Sequence, residues 1–489
     1  MPSRLPDRKM KHRPGFVMDF ASHKSEAKTR PTAGPTPHIV FPSDRAAAGK
    51  ALRDRLAREQ HGRWKPSKER PSPLDILRRS DAGRVKELVP IRYGRMLQSP
   101  FAFYRGSAGV MAADLALTPS TGLTVQACGD CHLANFGGFA TPERHIIFDI
   151  NDFDETVPAP WEWDVKRLAA SVVLAARSIG LSDTTGRNCA IAAARGYREH
   201  MRGFSRIDPL AVWYANIAAE DLMAIAPKSA RKHLQRRIDH AAVDRGSELD
   251  FPKLAGSIGG QIRITEQPPL IFHPGAARAS DFLSTLEGIL SIYRDSLADD
   301  RRQLFDRYRL VDAAIKVVGV GSVGRRCWIV LLMSEANCPL FLQVKEAAQS
   351  VLESYAGRSA YRHHGQRVVM GQRLMQPASD IFLGWLTGPH NRPFYVRQLR
   401  DAKIKPLIET FDAKVLEVYA GACGWVLARA HAKVSEISAT ISGYLGSSSD
   451  EFDQAMGHFA LAYADQAERD HATLKAAVKK GDIRVYLES

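Results

Sequence analysis

The sequence predicts a mixed α+β protein of two lobes, with a helical lobe first and a small antiparallel β lobe late in the chain. Three observations carry this expectation. Between residues 160 and 310 apolar side chains recur at i, i+3 and i+4, the period of amphipathic helices. At residue 311 the pattern changes to β-branched and apolar runs bounded by turn residues. At 489 residues the chain also exceeds what one small core encloses.

Residues 1–72 carry 17 Lys/Arg against 7 Asp/Glu, most of the net charge of +15, and are rich in proline. They read as a basic, partly disordered arm with one helix over 43–60. Such an arm offers a weak site for an acidic or nucleic-acid partner, although it lacks the interleaved aromatics of a base-stacking platform. A helix over 75–88 leads to Ser99-Pro100-Phe101-Ala102-Phe103-Tyr104-Arg105-Gly106. Its arginine has two readings, a cation near phosphate or a salt-bridged core residue. No run of the roughly 18 apolar residues needed to cross a bilayer occurs. Six unpatterned cysteines and an N-terminus without an apolar h-region predict a cytoplasmic setting.

The chemistry concentrates in CGDCHLANFGGFATPERHIIFDINDFDE, residues 128–155. Handling a phosphoryl donor requires hard oxygen ligands for a divalent metal and a carboxylate able to take the acceptor's proton. Asp130, Asn135 and Asp152 have the spacing of that set, the last two separated by a turn (Thr141 to Arg144) and a short strand (Ile146 to Phe148). Asp149 competes with Asp152 for the metal role. The same stretch contains C-x-x-C-H, the c-type haem pattern. Haem attachment of that kind needs export, and the other four cysteines supply no second pair for zinc. Cys128 and Cys131 are therefore expected to pack beside the loop.

Helices are expected over 164–179, 185–204, 208–225 and 280–308, with prolines 252, 268, 269 and 274 marking a loop-rich connection. The strands after 311 flank Gly319-Val320-Gly321-Ser322-Val323-Gly324. This G-x-G-x-x-G also fits a dinucleotide-binding unit, but that unit needs a helix after the third glycine, and Arg-Arg-Cys-Trp-Ile-Val prefers a strand. Lys345 follows on the next apolar strand, where burial demands an anionic partner; Glu353 is the expected one, with Gln372 or Glu346 as fallback. Strands over 380–386 and 394–399 end at a break near residues 400–401, and the chain is helical from 405.

The form Gly129-Asp130-x-His132-x-x-Asn135, followed by Asp152 and then Asp164, resembles the aminoglycoside phosphotransferase branch of the protein-kinase-like superfamily. The glycine turn and Leu342-Gln343-Val344-Lys345 resemble the kinase glycine loop and lysine strand. Ala422 to Val434 resembles the helix that precedes the catalytic loop. In that superfamily the glycine loop, lysine and this helix come first, whereas here they follow Asp130, which implies a circularly permuted kinase-like fold: an arm (1–72), a helical catalytic lobe (73–310), a β-rich nucleotide lobe (311–402) and closing helices (403–489). Residues 75–480 also resemble a bacterial family known as domain of unknown function 2252, through SPFAFYRG, CGDCHLANFG, FDINDFDE, EWDVKRLAAS, GVGSVG, LQVKEA, GQRLMQPASDIFLGW and FYVRQLRD.

The kinase resemblance implies ATP and Mg²⁺ as cofactors and transfer of phosphate to a hydroxyl of a small molecule or protein. In it Asp130 is the base, His132 braces the loop by hydrogen bonding, and Asn135 and Asp152 hold metal. Lys345 positions the phosphates, backed by Glu353, and Gly319, Gly321, Ser322 and Gly324 let the backbone approach them. The alternatives are AMP transfer, a non-catalytic nucleotide-binding pseudokinase, a basic scaffold for acidic partners and, on the glycine motif alone, an NAD-dependent oxidoreductase.

Overall fold

A computed structural model describes residues 40–243, 247–273, 279–317, 319–399 and 402–487. The expected helices and strands form two kinds of layer. Six strands make one antiparallel sheet in the spatial order Ile271–Phe272, Tyr308–Lys316, Cys327–Ser334, Pro339–Glu346, Arg392–Gln398, Gly384–Gly388. Because side chains alternate along a strand, Leu340, Leu342 and Val344 pack with Leu286, Leu290 and Tyr293 on one face. Phe341 packs on the opposite face, and Gln343 and Lys345 follow it at the same parity.

The larger core joins four long helices, Trp161–Ser178, Asp183–Phe204, Ala413–Val434 and Glu451–Lys480. Trp161 stacks on Tyr197 with centroids 5.6 Å apart, one of the aromatic pairs that add to burial here. The helix expected over 164–179 starts three residues earlier, and that over 185–204 starts at Asp183, where Ser182 accepts from the Thr185 amide. The expected helix over 208–225 is two, Pro209–Tyr214 and Ala219–Ile225, and that over 280–308 is Ala279–Asp295 plus Asp299–Phe305. Tyr308 already belongs to the sheet. The loop-rich connection contains a hairpin, Ala255–Ile258 with Gln261–Ile264, so this half is less purely helical than its periodicity suggested.

The arm requires a larger correction. Residues 1–39 lie outside the described residues, but Phe41–Ser489 form one compact unit. Arg53 Nε donates to the Tyr444 carbonyl at 2.9 Å, and Trp64 packs against Tyr463 with centroids 5.1 Å apart. Arg70 binds both Asp114 (2.7 Å) and Asp470 (2.6 Å). Several of the basic residues that suggested a solvated arm instead satisfy carbonyls and buried carboxylates. No described helix is long and apolar enough to cross a membrane.

Candidate functional site

Two short antiparallel pairings build the site. Thr124–Ala127 pairs with Val157–Pro160, and Phe136–Ala140 with Ile146–Ile150. The registers Ala127 to Val157 and Phe136 to Ile150 bring the connecting loops, 128–135 and 151–156, to the same end. The Asn151 amide bonds the Asn135 carbonyl at 2.8 Å and ties the loops together. Asp130 and Asn135 are thereby set beside Asp152 and Asp154.

Gly129 explains the sequence at this turn. Its φ is +84°, and a Cβ would lie 2.2 Å from the Glu155 carbonyl oxygen, so no side chain fits. Asp164, at the start of the Trp161–Ser178 helix, accepts from the Cys128 amide (2.8 Å) and the Gly129 amide (3.0 Å), and His431 Nε2 approaches it at 3.3 Å. Asp164 is thus the brace of the loop, a task expected of His132. The His132 side chain is buried, its Nδ1 has no hydrogen-bond partner among the described residues, and its Nε2 lies 3.9 Å from Asp130 Oδ2. Burial pushes its pKa well down, with Arg105 and Arg167 adding to the effect.

Arg167, three residues after Asp164 and on the same helix face, binds Asp130 Oδ1 through Nε at 2.6 Å and Nη2 at 2.5 Å. Its guanidinium lies 4.3 Å from the Tyr104 ring centroid, and Nη2 also donates to the Tyr104 carbonyl. One Asp130 oxygen is therefore anchored, while Oδ2 has no hydrogen-bond partner among the described residues. Burial raises the Asp130 pKa against the opposing pull of Arg167. Asn135 donates Nδ2 to the Asp130 carbonyl at 2.8 Å, which leaves its side-chain oxygen for a cation.

The two candidate metal aspartates separate cleanly. Asp149 is fully buried and bound by Arg429 Nη2 at 2.7 Å, so it belongs to the core. Asp152 lines the cleft; one oxygen accepts from the Asp154 amide at 3.2 Å. Burial and then repulsion from Asp154 push its pKa up. A half-buried carboxylate in that position favours a divalent cation, so the residues present fit Mg²⁺.

Lys345 does reach this group, but its partner differs from the one expected. Its ammonium binds Asp154 Oδ2, which also accepts from Ser322 Oγ at 3.0 Å, while Tyr395 donates to Oδ1 at 2.8 Å. Burial alone would raise the Asp154 pKa, yet the Lys345 charge and these hydrogen bonds hold it down to about 2. Glu353, on the short turn Glu353–Ala356, instead faces Arg367 (3.7 Å) and His364 (4.0 Å). The fallback Glu346 binds Arg326 and Arg392, and Gln372 bonds Gln376.

The glycine turn connects two antiparallel strands, and the residues after Gly324 form the strand Cys327–Ser334. The helix of a dinucleotide-binding unit is not there. Gly324 has φ +85°, the value that demands glycine, whereas a Cβ on Gly319 would meet open space. Arg84 Nη2 donates to the Gly321 carbonyl at 3.0 Å, and the Val85 amide to the Gly324 carbonyl at 2.7 Å. The turn is thus held by the segment Arg84–Val85, which precedes the 128–135 loop in sequence.

Cys128 and Cys131 are fully buried, and their sulfurs lie within 4.8 Å of an Asp164 oxygen. Both Asp164 oxygens are engaged by the loop amides, and burial pushes the Cys128 thiol pKa well up. Both cysteines pack into the core beside the loop, as expected.

Asp130, Asn135, Asp152, Asp154, Lys345 and the glycine turn line one cleft of about 1060 Å³. Arg105, Arg397 and Lys403 line it too. Arg397 Nε donates to Gln343 Oε1 at 3.0 Å, and burial with Arg397 lowers the Lys403 pKa to about 7. Sequence reasoning missed Arg167, Asp154 as the lysine's partner, Arg397 and Lys403. The i, i+3 spacing of Asp164 and Arg167 was a usable signal; the others become neighbours through pairing across the chain.

Fold and site define a mixed α+β protein with small antiparallel sheets and a cleft where acidic loops meet a buried lysine. Residues 84–477 match the model of a family described as an uncharacterized protein conserved in bacteria, domain of unknown function 2252, and the chain belongs to that family. No curated protein and no solved structure matches it.

Proposed function

We propose that the protein is an ATP- and Mg²⁺-dependent phosphotransferase acting on a hydroxyl, with a circularly permuted kinase-like arrangement. The observation that carries this reading is the meeting in one cleft of Asp130, Asn135, Asp152 and Lys345 with the glycine turn, from segments up to about two hundred residues apart. A scaffold has no need of that set.

Asp130 Oδ2 takes the proton of the acceptor hydroxyl, and its raised pKa brings the base closer to neutral pH, where proton transfer is most effective. The acceptor oxygen bonds the terminal phosphorus as the bond to the bridging oxygen breaks, and ADP leaves with that electron pair. Asn135 and Asp152 would hold the metal, which draws negative charge from the phosphates. Lys345 is released from Asp154 to meet phosphate oxygens, and the open space at Gly319 gives the backbone room to approach them. AMP transfer is a second reading, favoured by Arg397 and Lys403, which add cations to the cleft besides Lys345 and could hold phosphates of a nucleotide turned the other way.

Thermal unfolding with ATP, ADP or NAD⁺, with and without Mg²⁺, tests the proposal, because a ligand of the native state raises the melting temperature. Metal-dependent stabilisation by ATP, weakened in Asp152→Ala and Lys345→Ala, is expected. An unchanged melting temperature with ATP and Mg²⁺ would rule the reading out.

A further inference from the structure

Arg105 is a cation that lines the cleft and forms no ion pair among the described residues. It ends the helix Pro100–Gly106, is half-buried, and lines the cleft together with Asp130, Asp152 and Gly321. Lys345 is neutralised by Asp154, Arg84 is spent on turn carbonyls, and Arg397 donates to Gln343. Arg105 has neither a hydrogen-bond nor an ion-pair partner among the described residues. Its Nε is buried and unbonded, and its guanidinium only approaches the Phe101 ring, 5.9 Å from the centroid.

A guanidinium is costly to withdraw from water without hydrogen bonds or an anion. Burial lowers the Arg105 pKa, and the charges of Asp130 and Asp152, which line the same cleft, oppose the loss. Its neighbours define what it faces. On one side, a Cβ on Gly321 would lie 3.5 Å from the Arg105 carbonyl, so the helix end abuts the glycine turn. On the other, the preceding carbonyl, Tyr104, accepts from Arg167, the residue that anchors Asp130. Arg105 therefore stands between the turn that faces the phosphates and the proposed base.

We propose that Arg105 is a further catalytic residue, a cation supplied by the same chain that binds the terminal phosphate of the donor nucleotide and donates to its non-bridging oxygens during transfer. This rests on the phosphotransferase reading and names a contact that ADP cannot make. The transferred group passes from the bridging oxygen to the acceptor oxygen under the guanidinium, which exchanges no proton. A fixed fork of N–H donors suits that charge distribution.

The test is titration calorimetry of the full-length protein with ATP and with ADP in saturating Mg²⁺, using wild type, Arg105→Gln and Arg105→Lys, alongside unfolding of each without nucleotide. Arg105→Gln is expected to weaken ATP about tenfold or more while leaving ADP within about twofold, with Arg105→Lys in between. Removing an unpartnered cation should also leave nucleotide-free stability unchanged or raised. An unaltered ATP-to-ADP affinity ratio, or a large loss of nucleotide-free stability with that ratio unaltered, overturns the assignment. Wild type that binds neither nucleotide overturns the phosphotransferase reading itself, and the Arg105 role with it.

Discussion

Charged side chains near the cleft differ less in type than in what already occupies them. Asp149 and Asp152 are three residues apart, yet Arg429 saturates the first and the cleft leaves the second half-exposed. Lys403 illustrates the cationic counterpart. Burial, then the Arg397 charge, lower its pKa to about 7, with Lys405 adding to the effect and Asp380 and Asp152 opposing it. Above that pH the free protein holds Lys403 largely neutral, and a polyanion favours its charged form. Nucleotide binding above about pH 7 should therefore take up a proton. The uptake should fade at lower pH, where Lys403 is already protonated, and vanish in Lys403→Met. Titration calorimetry in buffers of different ionisation enthalpy measures it; a binding heat independent of buffer would contradict the prediction.

At the scale of elements, the 128–135 loop depends on a helix and a strand pairing that the loop's own sequence does not contain. Asp164 holds two loop amides that would otherwise be buried without acceptors, each worth about 1–3 kcal/mol. Asp164→Ala should thus lower unfolding free energy by a few kcal/mol, and Asp164→Asn, which keeps one acceptor, by less. Urea unfolding of the three proteins gives the order; equal midpoints would mean that the loop stands without this brace. The helix Ala413–Val434 supports the site from behind through Arg429 on Asp149 and His431 on Asp164. That contact gives a structural role to a segment first noticed for its resemblance to a kinase helix.

At the scale of the molecule, residues far apart in the chain close the fold. Arg70 binds both Asp114 and Asp470, the latter 400 positions away, with all three side chains at least nine-tenths buried. Its removal leaves two buried carboxylates without their cation, a loss of about 3–5 kcal/mol. Arg70→Ala should therefore show a clearly lower urea midpoint, whereas an effect below about 0.5 kcal/mol, usual for a surface site, would return residues 41–72 to the status of an appendage.

The sequence by itself determined most of the elements and where the acidic loop residues fall among them. Helical and strand periods are local properties, so the helices around 164–204, the lysine strand and the glycine turn were legible. So was the set Asp130, Asn135 and Asp152, because two neighbouring loops present it. Tertiary structure decided who pairs with whom. Lys345 could not be matched to Asp154 from sequence, since a buried charge takes the nearest anion in space, whereas Glu353 and Glu346 were candidates through their nearness in the chain. The basic run at 41–72 looked solvated for the same reason: the carbonyls and carboxylates that desolvate it lie near residues 114 and 440–470. Asp149 and Asp152 were indistinguishable as letters, and only the burial of Arg429 beside one of them separated a core ion pair from a carboxylate left open to the cleft.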